Sequence, residues 1–228
     1  MGTQYAFGQI VTDGLVLCLN ASDRNSYVSG STTWNDVSGR GNNGTLTNGP
    51  TFNSANGGSI VFDGSDDFAD LPIPLAASYS TITVDAWIKW NSFTSGMFLG
   101  MSTYDVWTAN NCLGFNNGAS NVIGINAATV TSLGLLGNWK HYAFVMNSSG
   151  LLSTNKMYIN SQSQTLTAVV NNDGNIPGLA TTLRLSSWLN GGFYGNVSYA
   201  NCKVYNRALS AQEVLQNYNA TKSRFGIT

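Results

Sequence analysis

The decapeptide TITVDAWIKW, Thr81–Trp90, limits what this chain can fold into more than any other stretch. Ile82, Val84, Ala86, Ile88 and Trp90 fall on one face at a period of two, opposite Thr83, Asp85, Trp87 and Lys89. At 3.6-residue spacing the same residues mix on every side, and the β-branched and aromatic content suits a pleated surface, so the segment is expected to be a half-buried central strand. Such a strand hides its apolar face only against a second sheet.

Other segments supply the rest of a sandwich. Residues 14–20 read as a first strand, followed by a loop-rich stretch, 21–58, in which Trp34, Val37, Leu46 and Phe52 are spaced to pin the chain onto a core. Residues 59–62 form a strand stopped by Asp63-Gly64. MFLGM, CLGF and VIGIN read as short strands, and 139–146 alternates again, with Trp139, His141, Ala143 and Val145 opposing Lys140, Tyr142, Phe144 and Met146. Strands 156–159 and 162–169 flank Asn160-Ser161, the spacing of a tight hairpin, and strands 182–185 and 193–205 complete about a dozen. One helix breaks the pattern: Ser210-Ala211-Gln212-Glu213 is a capping box, with Val214, Leu215 and Tyr218 on one side of the following turns. The chain is expected to be all-β, an antiparallel two-sheet sandwich with one short C-terminal helix. Its expected divisions are an N-terminal arm at 1–13, the sandwich at 14–221 and a C-terminal tail at 222–228.

Only 9% of the 228 residues are charged, and 10 Lys and Arg against 11 Asp and Glu leave a net charge of -1 without charge runs. Nucleic acid and membrane are therefore excluded as expected partners. Cys18, Cys112 and Cys202 form no metal-ligand spacing, and the two that sit in apolar runs, Cys18 and Cys202, read as small hydrophobes. The first ten residues lack the basic start, apolar core and cleavage site of a signal peptide, and no transmembrane run is present in the sequence.

Several motifs together resemble laminin-G-like, concanavalin A-like jelly-roll domains: WNDVSGRGNNGTLTNGPTF, SIVFDGSDDFADLP, TVDAWIKW, WKHYAFVMN with KMYIN, and YNRALSAQEVLQNYNATKSRFG. The last of these looks most like versions found in bacteriophage virion proteins. The resemblance implies a jelly roll and, for function, a non-enzymatic structural protein on the exterior of a phage virion: a capsid decoration or a tail, neck or fibre component. Implied partners are other virion proteins, further copies of the chain in a trimer, and host surface glycans. The alternative is a carbohydrate-binding adhesin that recognises host polysaccharide.

Glycanases of this architecture need two carboxyl groups on a strand of the concave sheet. Asp85 offers one, and reads as a surface ion pair with the lysine near it. His141, the sole histidine, has no GxSxG elbow to serve and reads as a structural residue at the sheet surface, while Glu213, the sole glutamate, is committed to the cap. No cofactor is expected, with calcium as the exception: Asp63, Asp66, Asp67 and Asp70 cluster in one loop and could supply part of the six to eight oxygens the ion takes. Trp34, Trp87, Tyr104, Trp107 and Trp188 could present flat faces to a sugar ring. Trp107 and Trp188 are the best candidates, because Asn110 and Asn190 lie in the polar segments beside them. Tyr5, Phe7, Phe225 and Ile227 are expected attachment points, being apolar residues that a solvated arm or tail would not need.

Overall fold

The computed structural model describes residues 9–72, 79–93, 95–119, 121–180 and 182–228. Thr81–Trp90 lies between Trp139–Asn147 on one side and Asn196–Tyr205 on the other, paired antiparallel with both. Outward from Trp139–Asn147 this sheet continues through Lys156–Ile159 to Gln162–Ser163. Outward from Asn196–Tyr205 it continues through Ser59–Asp63 to Thr51–Asn53, and Leu15–Asn20 also pairs with Asn196–Tyr205. The second sheet runs in the order Thr167–Val170, Val122–Ile125, Cys112–Asn116, Asp105–Ala109, Gly96–Gly100, Leu183–Leu185, Phe68–Leu71, Gly44–Thr47, Thr33–Trp34. The expected antiparallel sandwich is therefore present, with eight and nine strands among the described residues.

Between the sheets, Ile82, Val84, Ala86, Ile88 and Trp90 join Phe98, Val106, Leu113, Phe115, Tyr142 and Phe144 in one core. Rings meet edge to face there, Trp90 with Phe98 and Phe98 with Tyr142 at 5.5 Å between centroids, the arrangement that aromatic quadrupoles favour. Asn160 and Ser161 both take positive φ, 48° and 65°, closing the expected tight hairpin between Ile159 and Gln162.

The central strand departs from expectation by being buried on both faces. Its second face lies under the helix Ala211–Thr221, which makes a local third layer. Ser210 Oγ accepts from the Glu213 amide while Glu213 reaches back to the Ser210 amide, and Arg207 forks onto the same carboxylate at 2.6 and 3.1 Å. Val214 then packs with Val11, Ala143, Val145, Tyr158, Tyr205 and Leu209.

Four smaller corrections are physical. The expected strand 162–169 is two pieces, because Gln162–Ser163 ends the first sheet and Thr167–Val170 begins the second. Asp105–Ala109 is a strand where a loop was expected, and residues 193–195 stay outside the last strand, which starts at Asn196. Val37 is 39% exposed rather than pinned, since its segment is held instead by Asp36, whose carboxylate accepts the amides of Cys18, Ser38 and Asn42. Segments expected as arm and tail also make contacts with the body of the fold. Val11 exchanges hydrogen bonds with Asn217 Oδ1 (2.9 Å) and the Tyr205 hydroxyl (3.0 Å). Lys222–Phe225 forms a 3₁₀ turn whose Arg224 donates to the carbonyls of Asn56 and Gly58 and to Asn20 Oδ1.

Candidate functional site

The loop 186–195, SSWLNGGFYG, leaves the strand Leu183–Leu185 and returns into Asn196–Tyr205. Gly191 and Gly192, at φ 92° and 89°, let it reverse, and the Trp188 amide closes the turn on the Gly192 carbonyl at 3.1 Å. Ser186 Oγ donates to the Gly195 carbonyl at 2.7 Å, and Ser187 Oγ to the carbonyls of Trp188 and Gly192. The Phe193 carbonyl accepts from the Met97 amide at 2.8 Å, which seats the loop on the second sheet.

This seating holds Phe193 at φ 51° while leaving it 45% exposed. A bulky residue in the left-handed region costs about 1–2 kcal/mol, and strain of this kind gathers at functional sites. The ring stands edge to face between two others, 5.7 Å from Trp107 and 6.2 Å from Trp188. Trp188 Nε1 and Asn190 Nδ2 both donate to the Ser102 carbonyl, at 3.1 and 3.3 Å. From below, Arg184 Nη1 reaches the Trp188 carbonyl at 3.3 Å, while its guanidinium covers the Phe68 ring and forks onto Asp70 at 2.7 and 3.0 Å.

Two of the expected stacking residues, Trp107 and Trp188, are thus brought together, with Asn190 beside Trp188. Asn110 is exposed at the tip of the hairpin that carries Trp107, at φ 51°. Phe193 is the member that sequence reasoning placed in a strand. A Gly-Gly pair before an aromatic was the available signal, since a turn there frees the ring from the sheet. Trp34, Trp87 and Tyr104 are fully buried and offer no face to a ligand.

The acidic loop divides. Ligand oxygens of Asp63, Asp66 and Asp67 lie within 4.8 Å of one another, the first two residues exposed and Asp67 buried. Asp67 Oδ2 accepts the Asp63 amide at 3.1 Å, and burial raises its carboxyl above the usual range. Three carboxylates fit part of a calcium shell. Asp70 does not join them: its carboxylate is turned onto Arg184.

Asp85 is no surface ion pair with Lys89. It is fully buried beneath the helix, with Lys203 Nζ at 2.6 Å, His141 Nε2 at 3.0 Å and Asn217 Nδ2 at 3.1 Å. Burial alone would push its carboxyl up, but His141 and Lys203 outweigh that and hold it well below the usual range. His141, expected at the sheet surface, is buried in the same layer. Trp87 donates to Thr221 Oγ1 at 2.7 Å, and Phe225, expected as an attachment point, stacks on Trp87 with ring centroids 4.0 Å apart. Ile227 follows that turn, while Tyr5 and Phe7 lie outside the described residues. A cleft of about 990 Å³ opens beside the helix, but Asn20, Lys203, Thr221 and Arg224 in its wall are engaged with protein partners.

A profile of the concanavalin A-like lectin/glucanases superfamily matches residues 63–215, a span that includes both the aromatic group and the acidic loop. No curated protein matches the chain. Among similar solved structures, the receptor binding domain of botulinum neurotoxin C/D mosaic serotype has 15% identity and a TM-score of 0.60 over 91% of this chain and 51% of that one. The binding domain of botulinum neurotoxin DC in complex with rat synaptotagmin II has 14% identity and a TM-score of 0.62 over 92% and 52%. Trypanosoma rangeli sialidase in complex with sialic acid has 15% identity and a TM-score of 0.62 over 92% and 33%. The chain thus spans about half the length of the neurotoxin chains and a third of the sialidase, and at these identities the likeness is one of fold.

Proposed function

Because the chain belongs to the concanavalin A-like lectin/glucanases superfamily, we propose that it is a non-enzymatic carbohydrate-binding module whose stacking surface is Trp107, Phe193 and Trp188. The observation that carries this reading is Phe193, an exposed ring held in a strained backbone conformation between two tryptophans. Sugar rings dock on such faces, and the exposed amides of Asn190 and Asn110 supply directional hydrogen bonds at the rim. Arg184, which reaches the Trp188 carbonyl, is already committed to Asp70, so the surface suits neutral polysaccharide better than acidic glycans. A binding role is favoured over hydrolysis because Asp85 is sealed under the helix and Asp70 is forked by Arg184, leaving neither as a partner in a two-carboxylate mechanism. The test is a glycan array with the full chain and with Phe193→Ala and Trp188→Ala. Selective binding to neutral glycans, lost in both variants, is the expected result; binding that survives both would remove the assignment.

The place we propose for the module is the exterior of a phage particle, as a decoration or a tail, neck or fibre component. Support comes from the resemblance of the C-terminal segment to phage virion proteins and from the nearly uncharged Asn-, Ser-, Thr- and Gly-rich composition, which suits packing against copies of itself in a trimer. Mass spectrometry of purified particles should find the chain at a fixed ratio to the major capsid protein; its absence would end that reading.

A further inference from the structure

Trp107 carries a hydrogen-bond donor that the protein does not use. Along Asp105–Ala109 the side chains alternate across the second sheet, and Val106 faces the core. Trp107 therefore lies on the outer face, where its cross-strand neighbour Gly114 brings no side chain against the ring. Its Nε1 is buried and has no hydrogen-bond partner. Among the described residues, the other unpartnered groups belong to Trp34, Tyr104, Tyr142 and Asn155, sealed inside the fold, or to His141 and Arg207, held in ion pairs. Trp107 differs from these: it is partly exposed and stands beside an exposed ring, Phe193, edge to face at 5.7 Å.

A buried N–H without an acceptor is costly to a fold, and an indole N–H only donates, so the deficit is removed only by a group that accepts. The ring that stands against it, Phe193, offers at most a π face, which is a weak acceptor. Phe193 is also the part most ready to leave. Its ring is 45% exposed, its backbone is held at φ 51°, and it follows the Gly191-Gly192 turn. When the ring swings aside and a ligand oxygen takes its place, the strain and the missing bond are relieved together. That oxygen belongs to an uncharged group, because between residues 96 and 121 the only Asp, Glu, Lys or Arg is Asp105, which is 1% exposed.

We infer that Trp107 Nε1 is the specificity-determining donor of the aromatic site, covered by Phe193 in the unliganded chain, and that the ligand it selects is a sugar bearing an acetamido group. The sugar class rests on the glycan reading above; the covered donor does not. A hydroxyl brings an O–H that needs an acceptor of its own among apolar rings, whereas an acetamido carbonyl only accepts, and its methyl group packs on ring faces. The acetamido N–H points away from that carbonyl, across the planar amide. At the rim it meets the exposed Asn190, whose Oδ1 accepts while its Nδ2 stays on the Ser102 carbonyl. Such a sugar is neutral and matches the uncharged surroundings of the site.

The experiment uses the full chain with its tryptophan indoles labelled for nitrogen NMR, the Trp107 signal being assigned from its own spin system. Without ligand, the Trp107 N–H should show no contact with water, and Phe193→Ala should speed its exchange with solvent by about tenfold or more. Chitohexaose and cellohexaose share a neutral backbone and linkage and differ in carrying an acetamido group or a hydroxyl at the same ring carbon. Chitohexaose should bind at least about tenfold more tightly and move the Trp107 N–H signal downfield, the mark of a gained acceptor. In Trp107→Phe the two sugars should bind within about threefold of each other. A water contact at the Trp107 N–H in the unsubstituted chain, or exchange unchanged in Phe193→Ala, overturns the covered donor. Cellohexaose bound as tightly as chitohexaose overturns the sugar class while the glycan reading stands. Neither sugar bound, with exchange faster in Phe193→Ala, overturns the glycan reading and leaves the covered donor standing. Should Phe193→Ala fail to fold, a nuclear Overhauser contact between the Trp107 N–H and the Phe193 ring in the unsubstituted chain decides instead, and its absence overturns the cover.

Discussion

The molecule holds two polar regions built on opposite principles. Under the C-terminal helix, Asp85 is buried with a cation at 2.6 Å and an imidazole at 3.0 Å. On the second sheet, Asp105 is buried with two neutral amides. The first carboxyl is held below its ordinary range and the second is raised to about 7. Burial is nearly the same, so the difference lies in the partners: a buried carboxylate with cations locks a layer in place, and one without them is left ready to take a proton.

Removing the lock gives the largest expected effect. Asp85→Ala leaves Lys203 charged and buried, and should cost about 3–5 kcal/mol in a denaturant melt, with Asn217 also losing an acceptor. A loss under about 1 kcal/mol would mean that the network contributes little to holding the helix down.

The pH dependence sharpens the contrast because the two signs are opposite. The contribution of Asp85 is fully present above the ordinary carboxylate value of 3.8 and is lost as pH falls below it toward the depressed native value. That of Asp105 is greatest below 3.8 and is lost as pH rises through about 7. Asp105→Asn should therefore be more stable than the parent at pH 8, by up to a few kcal/mol, with the gap closing toward acid. Melting curves across the range check this, and an equal offset at every pH would contradict it.

A smaller change probes the exposed ring. Phe193→Gly relieves the strain of φ 51° and loses two ring contacts, so stability should stay within about 1 kcal/mol while glycan binding disappears. Smallest is the calcium test: if Asp63, Asp66 and Asp67 hold the ion, excess chelator lowers the melting temperature by a few degrees or less, and no change would remove calcium from the account.

Local signals in the sequence carried much of this. The period of Thr81–Trp90, the Ser210–Glu213 cap and the Asn160-Ser161 hairpin each depend on residues within a few positions of one another, and each is found in the fold. What was hidden depends on distant partners. Asp85 meets Lys203 and Asp70 meets Arg184 across 118 and 114 positions, so a surface ion pair and a calcium ligand were the readings available from nearby residues. The helix was visible as an element, but its docking over Trp87 was not. Trp107 and Trp188 were legible as aromatics in polar surroundings; Phe193 was not, because its backbone conformation is imposed by the bond from Met97, nearly a hundred residues earlier.

The uncharged run around Asp105 has one more consequence. With no exposed ionic group between residues 96 and 121, the hairpin beneath Trp107 neither draws a polymer in from a distance nor sheds counterions on contact. Recognition there depends on flat rings and short dipoles, forces that dissolved electrolyte barely reaches, so the same grip holds in brine and in fresh water.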